Sequence, residues 1–229
     1  MLTSEVEDQH TDELVRAIET RAAKMASVVL ERVYEDPFWD ARFGKRGRYH
    51  TERDGKYHLD YLVQALSANA PSVMVDYARW LRSVLVTRGM CSLHLAENFA
   101  LFRAVLGENG LPGVERAEVI LAAAERALLY EVGTPAAIDR AAPIIARELG
   151  RSGDPVATER DLRRHLSFLA DSIDLGRPDL FGGYVKFMSE WCGDRERVKN
   201  TISSVVEALT HTLVPAARDE IESHVSRAV

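Results

Sequence analysis

Apolar residues recur at every third or fourth position nearly throughout the chain, and no stretch shows the β-branched alternation between turns that marks a strand. The pattern predicts an all-α protein. Leu14, Ile18, Ala22, Met25, Val29 and Val33 line one face of a first helix, which ends near Asp36-Pro37 because proline disfavours helical continuation. From Phe38 to Tyr49 the reading is a basic, glycine-spaced loop, after which Thr51 opens a second helix with Leu59, Leu62 and Leu66 on its stripe. Pro71 starts a third helix that runs through Val75, Trp80, Val84 and Leu85 to Gly89. A fourth spans about Ser92 to Leu106, and a fifth, after Pro112, carries Val119, Ile120, Ala123, Ala127 and Leu128 to Gly133.

The chain then repeats itself. Thr51-Glu52-Arg53-Asp54 returns as Thr158-Glu159-Arg160-Asp161, and without a gap His58, Leu59, Leu62, Pro71 and Tyr77 return as His165, Leu166, Leu169, Pro178 and Tyr184. Substitutions between them keep their kind: Tyr61 becomes Phe168, Leu66 becomes Ile173 and Trp80 becomes Phe187. The helix from about Arg195 and the tail after Pro215 answer the fourth and fifth helices; Ala136 to Leu149 answers the first, with Pro143 expected to bend it or delay its start. The expected architecture is two tandem pseudo-symmetric helical-bundle repeats of about ten helices, residues 1–133 and 134–229.

Composition narrows the class. The formal net charge of -6 disfavours nucleic acid and anionic lipid as partners. Cys91 and Cys192 lack CxxC spacing, so they suggest free thiols in a reducing compartment rather than a disulfide or a zinc site. The N-terminal MLTSEVEDQHTDE is acidic where a signal peptide is basic and then apolar, and no apolar run is long enough to span a bilayer, which predicts a cytoplasmic chain. P-loop, GxGxxG, GxSxG and HExxH patterns are missing, so the expectation is a non-enzymatic module that senses a ligand or binds a protein.

Two constellations could carry chemistry. Thr-x-x-Asp before an apolar stripe is a capping box in which Asp imitates the usual Glu, and this explains Thr51 with Asp54 and Thr158 with Asp161. Each Asp also lies one turn before a histidine, so Asp54 and His58, and Asp161 and His165, could hold a transition metal, or one histidine could ligate a haem or accompany a bilin. The alternative is a buried histidine satisfied by tyrosine, aspartate or backbone, and no cofactor is favoured. The second constellation is the asymmetric segment with Phe38, Trp39, Arg42, Phe43, Arg46 and Arg48, expected within reach of His58. It could clamp a small planar or anionic ligand or bury against a second chain in a homodimer; otherwise its aromatics cover the core while the basic groups stay solvated.

Asp-x-x-x-His-Leu-x-Tyr-Leu at Asp54–Leu62, then Trp80 to Gly89, then Leu95 to Phe102-Arg103-Ala104-Val105-Leu106, resembles the globin-like N-terminal sensor domain of RsbR-type stressosome proteins over about residues 12–107. The resemblance implies a non-enzymatic, dimeric, haem-free helical sensor in bacterial stress signalling. This chain differs in repeating the unit and in carrying neither a STAS-like sheet nor a kinase.

Overall fold

The computed structural model describes residues 2–154, 156–212 and 215–228. Ten α-helices and one 3-10 turn occupy them, with no strand among the described residues: α1 (Leu2–Val33), α2 (Pro37–Ser67), α3 (Pro71–Leu85), the 3-10 turn (Val86–Arg88), α4 (Ser92–Glu108), α5 (Val114–Ala127), α6 (Gly133–Leu149), α7 (Glu159–Asp174), α8 (Pro178–Cys192), α9 (Arg195–Thr212) and α10 (Pro215–Ala228). The all-α fold read from the hydrophobic period is the one observed.

The segment expected as a loop is helical. Asp36 caps α2, its carboxylate accepting from the Phe38 N–H at 3.0 Å, and Pro37 sits in the first turn, where its missing N–H costs nothing. Helix then continues past Thr51 to Ser67, interrupted only at Gly44, whose φ of 54° and ψ of −152° suit a residue without Cβ. Phe38, Trp39 and Phe43 pack on one another and on Tyr34, and that apolar contact holds as helix a stretch whose glycines and charges suggested a loop. Thr51 therefore lies inside α2 and caps nothing. Pro143 lies within α6, which begins at Gly133 and runs on to Leu149.

Contacts divide the chain into two compact units. The first comprises Met1–Leu81 and Leu95–Leu128; the second comprises Arg82–His94 and Leu129–Val229. The division falls at 128/129 rather than at 133/134, and it assigns the turn between α3 and α4 to the second unit. In the first unit α1 lies along α2, and Leu14, Ile18, Leu59, Leu62, Met74, Phe99 and Phe102 form a core shielded from solvent. Ala26 and Gly55 let the two helices approach closely: a Cβ on Gly55 would come within 3.1 Å of Phe102 and 3.2 Å of Ala26.

In the second unit α7 packs against α6, α8 and α9, leaving Glu159, Arg160, Arg163 and Asp174 exposed. Every residue from Arg164 to Ile173 is buried, including Arg164, His165, Ser167, Asp171 and Ser172. Burying polar groups on this scale is stable only when each finds a partner. Thr158 caps the helix as the sequence suggested, its hydroxyl oxygen accepting from the Asp161 N–H at 3.1 Å.

Candidate functional site

The two histidines singled out by the sequence are buried, and each meets the tyrosine nineteen positions on. His58 Nδ1 lies 2.8 Å from the Tyr77 hydroxyl, and His165 Nδ1 lies 2.6 Å from that of Tyr184. The tyrosines are themselves stacked alike, Tyr77 on Tyr61 and Tyr184 on Phe168, each pair with ring centres 3.9 Å apart and planes at 13°. The turns that follow also match. Ala68 N–H donates to Gln64 O and Ala70 N–H to Ala65 O, while Leu175 N–H donates to Asp171 O and Arg177 N–H to Ser172 O. The residue between adopts positive φ in both, Asn69 at 48° and Gly176 at 60°, conformations that asparagine and glycine tolerate best.

Burial pushes both imidazoles down to about 4, so both are neutral at pH 7. At His165 the tautomer follows from its partners: Nε2–H donates to the Val156 carbonyl at 2.8 Å, and Nδ1 accepts from the Tyr184 hydroxyl. With both ring nitrogens engaged, His165 is a structural pin rather than a ligand. Asp54 pairs with its neighbour Arg53 at 2.8 Å, and Asp161 with Thr158 and the fully buried Arg164, at 2.9 Å. Among the described residues no group of three or more His, Cys, Asp or Glu side chains converges where a metal ion could bind.

The six residues of the asymmetric segment do not form an open clamp. Phe38 and Trp39 are buried and Phe43 half-buried in the aromatic cluster, while Arg48 pairs with Asp40 at 2.8 Å through Nε and lies 4.1 Å over the Tyr34 ring. Arg42 is half-buried and Arg46 exposed. His58 is not among them. It follows Arg48 by ten residues of α2, about 15 Å along the axis at the helical rise, and meets Phe99 and Phe102 instead.

Sequence reasoning missed the polar centre of the second unit, built where α7 meets the start of α4. Asp171 Oδ2 accepts from the Ser92 N–H at 2.7 Å, and Oδ1 from the Ser92 hydroxyl at 2.6 Å and the Tyr130 hydroxyl at 2.7 Å. One turn earlier on α7, Ser167 Oγ accepts from the Leu93 N–H at 3.0 Å. A serine and an aspartate four apart on α7 thus cap the first turn of α4 from outside, where helix N–H groups lack internal partners and favour negative charge. Burial raises the Asp171 carboxyl above the usual range, against which Ser92 and Tyr130 donate to it. Asp139, accepting from the Tyr130 N–H at 2.8 Å, is pushed up to about 6 by burial. Cys91 is fully buried and its thiol is raised by the same cause, so no thiolate is presented for attack. The signal in the sequence was the pair Ser167 and Asp171, polar residues one turn apart.

Concave surface in the second unit is shallow and mixed. A groove of about 540 Å³ between α9 and α10 is lined by Lys199, Ile202, Val206, Glu207, His211 and Arg218, and another of about 490 Å³ lies beside Arg151, Asp154 and Arg197. The pronounced exposed apolar feature of the first unit lies instead on α2 and α3. Tyr49, Tyr57 and Trp80 are 65%, 51% and 56% exposed, and Arg53 lies 6.0 and 5.9 Å from the rings of Tyr49 and Tyr57. Tyr77 joins this surface to the core, stacked between Tyr61 and Trp80. No family model, curated protein or solved structure matches the chain. No helix is long and apolar enough to cross a membrane, among the described residues.

Proposed function

We propose that this chain is a duplicated, non-enzymatic protein-interaction module whose working surface is the exposed aromatic face of α2 and α3. The observation that carries the reading is a contrast between equivalent positions. Tyr57, Asp60, Tyr61 and Gln64 correspond, 107 positions on, to Arg164, Ser167, Phe168 and Asp171. The second set is buried and holds the Cys91–His94 turn, with Ser167 and Asp171 capping α4 and Phe168 edge-on to His94. The first set has no such cover: Tyr57, Asp60 and Gln64 are exposed and Tyr61 half-exposed.

A helix face that binds polypeptide in one unit and is open in the other is suited to binding polypeptide from outside. Exposed Tyr and Trp beside Arg is the composition enriched in interfaces and their hot spots. His58, His165 and Asp171 are held by internal partners and Cys91 is buried, which supports binding over catalysis. The resemblance to RsbR-type sensor domains adds bacterial stress signalling as the setting.

The test is a photo-reactive phenylalanine placed at position 57 and, as control, at exposed Glu19 on α1, followed by irradiation in cells producing the protein. A protein adduct at 57 and none at 19 is the expected result. Absence of any protein adduct at 57 overturns the reading.

A further inference from the structure

We infer that the α2 face takes the first turn of a helix from a partner protein, with Asp60 and Gln64 accepting hydrogen bonds from its free N–H groups. The inference rests on the proposed interaction module and names what that module recognises. Its warrant is what the second unit does with the equivalent face of α7, where the first three residues of α4 lie on Ser167, Phe168 and Asp171. Asp171 accepts from the N–H and the hydroxyl of Ser92, and Ser167 from the N–H of Leu93. Phe168 meets the His94 ring edge-on, with ring centres 5.6 Å apart.

The face of α2 has the same frame without the cover. Tyr61 stacks on Tyr77 at the same 3.9 Å and 13° as Phe168 on Tyr184, so positions 60 and 64 flank their aromatic pair as 167 and 171 flank theirs. Asp60 and Gln64 are exposed, and neither side chain makes a hydrogen bond or ion pair with a described residue. Asp60 in place of Ser167 sets a full negative charge opposite the second N–H of an incoming helix. Such N–H groups lack internal partners, and the positive end of the helix dipole favours an anion there. Gln64 in place of Asp171 keeps an acceptor opposite the first N–H, and its amide adds a donor for a hydroxyl on the first residue. Half-exposed Tyr61 is the platform for a ring on the third residue, as Phe168 is for His94. The occupant so specified is a helix start without a cap of its own, with Ser or Thr first and His or an aromatic residue third. Arg53, held by Asp54, takes no part.

Fluorescence anisotropy at low salt, with the full chain and two labelled synthetic peptides, tests the inference. One peptide begins Ser-Leu-His, the order at Ser92–His94, on an alanine- and glutamine-based helix. The other has proline second, which the first turn tolerates but which removes the N–H that Asp60 accepts. Circular dichroism checks that the two are equally helical. Wild type is expected to bind the first peptide saturably below about 1 mM, and the proline peptide about tenfold more weakly. Asp60→Asn removes the charge and keeps the shape, and is expected to weaken binding of the first peptide about tenfold. Gln64→Asp restores the carboxylate of the second unit and is expected to tighten it about fivefold. Far-UV circular dichroism and Tm confirm that these surface variants fold. No saturable binding by wild type overturns the inference, as does equal affinity for the two peptides or an Asp60→Asn variant that binds like wild type. Should position 57 crosslink to a protein while the peptide fails to bind, the interaction module stands and helix-start recognition falls; absence of any adduct removes both.

Discussion

Thr51-Glu52-Arg53-Asp54 and Thr158-Glu159-Arg160-Asp161 are the same four residues in two settings, and they do different work. At 158 the chain arrives from the turn residues Val156 and Ala157, so the threonine begins a helix and its side chain caps it. At 51 the chain arrives already helical from Pro37, so the threonine is an interior residue. Downstream the contrast widens. Asp161 joins Thr158 and the buried Arg164, whereas Asp54 pairs with exposed Arg53 at the surface. On the inner faces the His–Tyr pair recurs, at 2.8 and 2.6 Å, and the stacked rings recur at 3.9 Å in both; the outer faces differ far more. Two helices can therefore share core contacts while their other sides differ, one facing solvent and one largely buried.

The largest expected effect lies on that outer face. Arg164→Ala leaves Asp161 without its buried cation and should cost about 3–5 kcal/mol, whereas Tyr57→Ala at the equivalent position should change stability by no more than about 0.5 kcal/mol. Urea denaturation of both variants decides; equal costs would erase the contrast between the helices.

Acid should act on the shared inner face. Each histidine is neutral when folded, with its pKa lowered to about 4, and takes a proton below about 6.5 when unfolded. The stability each contributes is fully present above pH 6.5 and is lost as pH falls from 6.5 towards 4, amounting to about 3 kcal/mol per histidine. Asp139, raised to about 6, has the opposite sign: its contribution is present below its unfolded value and lost as pH rises through 6. Comparing wild type with His58→Gln and His165→Gln between pH 4.5 and 7 isolates each histidine, and each variant should lose a similar part of the pH slope. A slope unchanged in either variant would mean that its imidazole is not held neutral.

Smaller still, Tyr77→Phe and Tyr184→Phe each remove the hydroxyl that meets a buried Nδ1, and each should cost about 1–2 kcal/mol. Equal values sharpen the equivalence of the units, and a cost confined to one of them breaks it. The smallest effect separates the two threonines: Thr158→Ala should lower stability by about 1 kcal/mol through the lost cap, and Thr51→Ala by no more than about 0.5 kcal/mol. Thermal melts resolve both.

The helical period, the stop at Gly89 and the repeat of His with Tyr at a spacing of nineteen are local properties, which is why they could be read directly from the residues, whereas Gly133, expected to end the fifth helix, begins α6 and α5 ends at Ala127. Helix α7 as a helix was legible in the same way, and so was its cap. The fate of the segment from Phe38 to Arg48 was not. Its composition suits both a loop and a helix, and the choice was made by Tyr34, which reaches Trp39 from the end of α1. The packing of the candidate clamp was not legible for a related reason: its aromatics hold α2 to the end of α1.

What the sequence determined by itself is which residues form helices and which faces are apolar, because backbone geometry and the 3.6-residue period depend on near neighbours. What only the tertiary structure decided is which polar residues are buried. Ser167 and Asp171 become caps because α4 begins against them, and Asp60 and Gln64, on the same face of an equivalent helix, stay in solvent because nothing in the first unit covers them. A polar side chain can be buried only where a partner stands within hydrogen-bond reach, and that partner is 79 positions away in sequence, for Ser92 and Asp171.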